Sequence, residues 1–300
     1  MTRLDADDLL AWNALRSTPG LGPKRLARLT LVLAERGRPA ASLVGAPPAE
    51  LVALGLSPQL AEAAFGALSS PVEVDVPDWI HAFCPSDQQY PSERMSEALP
   101  LPVVLWVVGQ VSLLRSPGIA IAGARSAPVD VLDLAGELAA VVAKAGVNVV
   151  SGNAAGVDSA AHAGALRVGG TTTAVLAEGL EQGLRDRTQP NDSVLIVSGF
   201  EPRASWTASR AMERNTHIAA LSDAVVIVAA GLRGGSWAQG QLCLRAGKRL
   251  FVLDLPAEVA PGNPVLIRKG ALAVLPDRLD HVLDRLGDQV TESEQLRLPG

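Results

Sequence analysis

Short apolar runs recur along the chain from Val103 onward, each followed by small or polar residues and then a helix-length segment. The runs at Val103–Val108, Ile119–Ala122, Val147–Val150, Thr172–Leu176, Val194–Val197, Ala224–Val228 and Leu250–Leu253 read as strands buried on both faces. Alternation of such strands with helices predicts a mostly parallel sheet in a three-layer α/β domain spanning residues 101–287. A last amphipathic helix near Asp277–Leu286 closes it, and residues 288–300 read as a polar tail.

The pattern changes upstream. Residues 1–70 lack strand periodicity and predict a small all-helical domain, with helices at Asp8–Arg16, Pro23–Arg36, Pro48–Leu54 and Pro58–Leu68. Between the first two lies Thr18-Pro19-Gly20-Leu21-Gly22-Pro23-Lys24-Arg25, the signature of a helix-hairpin-helix or SAM-like turn. Gly20 and Gly22 permit a tight turn whose amides can hold a nucleic-acid phosphate, and Lys24 and Arg25 add positive charge. A helical repeat used for packing or protein contact fits the same residues. Residues 71–100 are proline-rich, hold the one tyrosine, Tyr90, and read as a linker.

Candidate chemistry gathers at the strand ends. The strand ending at Ala122 runs into Gly123-Ala124-Arg125-Ser126, and the strand ending at Val150 runs into Ser151-Gly152-Asn153-Ala154-Ala155-Gly156-Val157-Asp158. Small residues let a backbone approach an anion, and the amides and dipole of the next helix favour negative charge. Arg125 adds a guanidinium that can fork onto a phosphate. Asp158 either caps its helix or accepts a hydrogen bond from a ligand hydroxyl. His162 falls one turn later on the same helix face, as a structural or a catalytic His–Asp pair. Arg214 and Asn215 stand near the exposed start of another helix, where Asn can read a base edge and Arg a phosphate. The loop Gly231-Leu232-Arg233-Gly234-Gly235-Ser236 follows a further strand. Three such loops on one sheet edge point to a nucleotide or a nucleic-acid backbone as ligand.

Composition narrows the field. With 48% hydrophobic and 19% charged residues, a sizeable globular core is expected, built mainly from Ala, Val and Leu because aromatics are 3%. The net charge of −5 excludes broad electrostatic attraction to nucleic acid and requires a local basic patch. No run is long and unbroken enough to span a membrane. Met1 to Leu10 is acidic and lacks a signal-peptide core. Cys84 and Cys243 are isolated, with no metal-type spacing, as in a reducing cytoplasm. Neither a metal nor a cofactor is expected. No serine or cysteine nucleophile accompanies the His–Asp pair, so hydrolase chemistry is unsupported.

Taken in order, these blocks resemble the DNA-processing protein A (DprA/Smf) family of bacterial single-stranded DNA-binding proteins. The resemblance rests on Tyr90-Pro91, Gly123-Ala124-Arg125 and Ser151 to Asp158. It continues through Ala161 to Leu166, Gly170 to Leu176, Arg214-Asn215 with Ala219 to Ser222, Ala246 to Arg249, and Leu266 to Ala271. It covers about residues 90 to 275. It implies an extended Rossmann-like domain preceded by a helical one, a positive pocket for single-stranded DNA, loading of RecA recombinase during natural transformation, and a homodimer. It implies no metal and no catalytic turnover. The family usually has arginine where this chain has Ala155 and Thr216, a Phe-Pro pair where it has Ala211-Met212, and Ser-Gly-Ser/Thr where it has Gly234-Gly235-Ser236. Trp206, Arg203 and Arg210 lie near enough in sequence to substitute. The alternative is a divergent nucleotide-binding sensor or nucleotide-processing protein. Related phosphoribohydrolases carry a Gly-Gly-x-Gly-Thr loop and a catalytic glutamate, and here Gln239 stands near the place for that glutamate.

Overall fold

A computed structural model of the chain describes residues 6–184 and 192–284. Four helices come first: α1 (Ala6–Ser17), α2 (Pro23–Glu35), α3 (Pro48–Ala53) and α4 (Pro58–Ser69). Proline opens the last three, at a position where a missing N–H breaks no helical bond. Strands β1 (His81–Phe83), β2 (Leu105–Gly109) and β3 (Gly118–Ala122) follow. Alternation then sets in with α5 (Val129–Lys144), β4 (Asn148–Gly152), α6 (Val157–Arg167), β5 (Thr172–Leu176), α7 (Leu180–Gly183) and β6 (Val194–Ser198). It ends with α8 (Ala208–Ala220), β7 (Ala224–Ile227), α9 (Gly235–Arg245), β8 (Leu250–Leu253), α10 (Asn263–Arg268), β9 (Leu272–Val274) and α11 (His281–Asp284).

The strands form one sheet in the order β1-β2-β6-β5-β4-β3-β7-β8-β9. All pairs from β6 to β9 are parallel, and β2 joins β1 and β6 antiparallel. Alternate side chains enter opposite cores. Ile119 and Ile121 pack with α5 and α6, whereas Ala120 and Ala122 pack with α8 and α9. The helical region does not stand apart. Trp12, Leu15 and Leu33 share a core with Trp106, Val108 and Ile196 of the sheet, and Ala27 of α2 joins the core under α8 and α9.

Residues 71–100, read from sequence as linker, are partly built into this sheet. His81 to Phe83 pair with β2, and fully buried Tyr90 donates its hydroxyl hydrogen bond to Pro102 O at 2.9 Å. Buried Asp8 of α1 accepts from the Ala41 amide at 2.8 Å and from the Ser86 hydroxyl, so three distant segments meet on one carboxylate. The apolar pattern of the sequence does not mark β1 or β9 as strands. The helix foreseen at Asp277–Leu286 appears as α11 within the described chain, and the polar tail lies outside the described residues. Among the described residues, no helix is long and apolar enough to cross a membrane.

One consequence of the topology positions the site. β3 leads through α5 to β4 on one side, while its neighbour β7 leads through α9 to β8 on the other. The carboxyl ends of β3 and β7 therefore border the crevice at which strand order reverses, where open α/β sheets bind ligands.

Candidate functional site

A cleft of about 450 Å³ opens at that crevice. The turn after β3 supplies Gly123, Ala124 and Arg125, and the loop after β7 supplies Gly231, Arg233 and Gly234. Helix α8 contributes its cleft-facing residues Met212, Arg214 and Asn215, and α9 contributes Gly235, Ser236 and Gln239. Asp158 of α6 and Trp206, just before α8, complete the wall.

Two of the glycine-rich loops are pressed together. Gly156 has φ +80°, and a Cβ there would lie 2.4 Å from the Arg125 carbonyl oxygen and 2.5 Å from that of Ala124. The Val157 amide donates to Ala124 O at 3.3 Å, which joins the start of α6 to the turn after β3. Arg125 is thereby held at the rim, exposed and without an ion-pair partner among the described residues.

The floor is a buried charge pair. Arg214 is 6% exposed; its Nη1 lies 3.7 Å from Asp158 Oδ2 and donates to Val175 O at 3.3 Å. Its Nε has no hydrogen-bond partner among the described residues. Loss of water lowers the Arg214 pKa, against the attraction of Asp158 and Glu178. The same burial raises that of Asp158, opposed by Arg214, the Ala154 amide, the Ser151 hydroxyl and Arg125. Desolvation leads for both partners because a 3.7 Å separation is long for an ion pair. Asp158 does not cap α6, whose N-cap position is Gly156 with no side-chain bond; its carboxylate instead meets the Ala154 amide and Arg214.

The N-terminus of α9 faces the same space. Gly234 precedes it with φ +95° and offers no side-chain cap, and the first intrahelical bond is that of Ala238 to Gly234 O. The amides of Gly235 and Ser236 are thus left toward the cleft at the positive end of the helix dipole. Asn215 Nδ2 donates to Gly235 O at 3.3 Å and fixes this loop. Gln239 is buried, with Nε2 unpartnered among the described residues. The cleft carries three guanidinium groups, Arg125, Arg214 and Arg233, against one carboxylate, Asp158.

Of the residues singled out from sequence, Gly123, Ala124, Arg125, Asp158, Arg214, Asn215, Gly234, Gly235 and Ser236 line the cleft. Ser126, Ser151, Gly152, Asn153 and Gly156 do not. Ser151 is fully buried and donates to Ile121 O at 2.6 Å, tying β4 to β3. Ser126 is exposed in the turn. Arg214 and Asn215 sit in the middle of α8 and are buried, not near an exposed start. His162 does not pair with Asp158; its ring bonds Thr172 Oγ1 at 2.6 Å and Gly152 O at 2.7 Å, and burial lowers its pKa. In the hairpin, Gly20 takes φ +83° and Arg25 Nη1 donates to Gly20 O at 2.7 Å, while Gly22 precedes α2 and Lys24 is exposed. Gly20, Gly22, Lys24 and Arg25 are all outside the cleft.

Arg233, Met212, Trp206 and Gln239 also line the cleft, beyond the residues the sequence singles out for it. Arg233 was legible within the glycine-rich loop, whereas the others depend on how α8 and α9 rotate toward the crevice. Of the three candidate substitutes, Arg203 pairs with Asp75 and Glu181, and Arg210 bonds Ser205 O above the Phe200 ring. Only Trp206 faces the cleft.

An open, mostly parallel sheet with a cationic crevice at its switch point defines a Rossmann-like α/β protein. A family model described as DNA recombination-mediator protein A matches residues 81–287, and the chain belongs to that family. It is 32% identical over 197 residues to the putative DNA processing protein DprA of Mycobacterium tuberculosis, covering 62% of this chain and 50% of that one. The chain thus spans about half the length of this curated relative. The crystal structure of DprA from Streptococcus pneumoniae matches 96% of this chain and 100% of its own with a TM-score of 0.72 at 22% identity, which establishes the fold. A structure of DprA from Helicobacter pylori, described for its single-stranded DNA binding mode, matches 69% of this chain and 95% of its own with a TM-score of 0.58 at 26% identity.

Proposed function

We propose that the cleft between β3 and β7 binds the backbone of single-stranded DNA and that the protein acts in DNA processing and recombination. The observation that carries this reading is the excess of guanidinium groups around the open amides of α9, opposed by one carboxylate already turned toward Arg214. A cleft with this balance favours a polyanion, even on a chain of net charge −5. The Helicobacter pylori relative's single-stranded DNA binding supports the same ligand. By the family resemblance, the protein hands the strand to RecA during natural transformation, as a cytoplasmic homodimer.

Catalysis has little to work with here. Gln239 stands where a phosphoribohydrolase-like reaction would want a carboxylate, and Asp158 is held by Arg214 and the Ala154 amide. A mononucleotide would also fit a volume of about 450 Å³. Binding of oligo-dT and of a nucleotide panel to wild type and Arg125→Ala separates the two ligands. Salt-sensitive oligo-dT binding that the variant loses supports the strand. Stabilisation by a nucleotide with no oligo-dT binding refutes it.

A further inference from the structure

A second pocket, of about 500 Å³, lies further along the groove between α8 and α9. Glu213, Thr216 and His217 form one wall, Leu242 and Arg245 another, and Pro23 and Lys24 at the start of α2 close it from the helical region. The pocket continues the cleft. Met212 and Asn215 line the cleft while Glu213 and Thr216 line the pocket, and on α9 the lining passes from Gln239 to Leu242 and Arg245. At 1.5 Å rise per residue, the two stretches of α9 are about 10 Å apart.

Two independent features mark the pocket for an anion. The first is the end of α2, a helix of 13 residues preceded by Gly22, which offers no side-chain cap, and opened by Pro23, which has no N–H. The Lys24 amide and ammonium stand at its positive end. Lys24 and Arg245 are exposed, and neither forms an ion pair among the described residues. The second is His217, a residue of the pocket lining that is 3% exposed and whose Nδ1 has no hydrogen-bond partner among the described residues. Burial and the Arg214 charge push its pKa down to about 3, so the ring is neutral and able to donate one N–H. Glu213 is the one carboxylate there, and burial raises its pKa toward the uncharged form.

We propose that this pocket is a second phosphate site, occupied by the backbone of the strand that leaves the cleft, with the α2 hairpin as the far wall of the strand's path. The helical region then becomes part of the DNA-binding surface rather than a separate module. This rests on the cleft being a strand-binding site.

The test compares Lys24→Ala/Arg245→Ala with wild type on a short oligo-dT of about six nucleotides and a long one of about twenty. Long-strand affinity should fall about tenfold and its salt slope by about 1.4, two phosphate contacts at about 0.7 each. The short strand should bind as before, and Arg125→Ala should weaken both. An equal loss at both lengths, or none at either, overturns the proposal while leaving the cleft reading in place. Stabilisation of wild type by inorganic tripolyphosphate that the double variant loses, without a length-dependent effect on DNA, assigns the pocket to a free anion and also overturns it. If wild type binds neither strand, the cleft reading itself falls.

Discussion

The guanidinium of Arg214 lies against the α-carbon of Gly152, so closely that a Cβ at residue 152 would sit 1.4 Å from Nη1. Glycine at the end of β4 is what admits a buried arginine under the cleft. Because Nη1 and Asp158 Oδ2, which would lie 2.4 Å from the same Cβ, are both side-chain tips, Gly152→Ala displaces the pair rather than the strand, and Asp158 loses its counter-charge as Arg214 swings out. Breaking one partner of a buried pair costs about 3–5 kcal/mol; a swung-out Arg214 that finds water recovers part of it. Gly152→Ala should therefore still fold, melt several degrees lower and lose most oligo-dT affinity. Gly156→Ala meets backbone oxygens and a φ of +80°, so it should melt lower still. Thermal melts of the two variants check the order, and the reverse order contradicts this account of the floor.

Arg125 and Arg233 flank the crevice from the β3 and β7 loops, both exposed. A charged hydrogen bond contributes about 1.5–3 kcal/mol, so each alanine variant should lose roughly 10- to 150-fold in affinity for oligo-dT. Each should also lower the salt slope by about 0.7. Melting temperatures should hardly change, because neither side chain forms an ion pair among the described residues. Titrations at several salt concentrations supply the check, and a slope unchanged in both variants would remove the strand from this crevice.

The sequence exposed the parallel sheet because its strands are buried on both faces: Thr172–Leu176 and Leu250–Leu253 form with the bounds their apolar runs indicate. It hid β1, where three residues among prolines are held by β2 and not by their own pattern. The convergence of the glycine-rich loops was equally legible, since a parallel sheet places every strand-to-helix loop on one edge. Which donors face the ligand was not. Ser151 turns to Ile121 O, Asn215 to Gly235 O, and Arg214 lies beneath the cleft because Gly152 leaves room. These are choices of rotamer and of distant partner, to which periodicity is blind.

Acid should weaken the fold through His217. Its folded pKa of about 3 lies below the ordinary 6.5, so the unfolded chain binds the extra proton between those values. Stability from this group is complete above pH 6.5 and drains as pH falls toward 3. Between pH 7 and pH 5 the loss is about 2 kcal/mol. His162, also lowered by burial, acts in the same direction. Asp158 and Glu213, whose pKa values are raised, oppose it: the folded state takes up their protons first and gains stability as pH falls. Denaturant titrations of wild type and His217→Gln at pH 7 and pH 5 isolate the histidine. The variant should lose less stability over that interval, and an identical loss would show that folding leaves the His217 pKa near its ordinary value.

Trp206 is 51% exposed and, of the five tryptophans, the one that lines the cleft. Trp12 and Trp106 are sealed in cores. A large aromatic left half in water beside a guanidinium-rich crevice has an open face for a base, and a base stacked on an aromatic contributes about 1–3 kcal/mol. The flanking Met212, 47% exposed, presents an apolar edge beside it. Trp206→Ala should therefore weaken oligo-dT binding by about 5- to 150-fold, and Trp206→Phe should recover much of it, because stacking needs a ring and not an indole N–H. The salt slope should stay at the wild-type value, since no phosphate contact is lost. Tryptophan fluorescence gives a direct reading: oligo-dT should quench wild type and leave Trp206→Phe nearly unchanged. Equal quenching in both would place the bases elsewhere and leave the crevice holding phosphates alone.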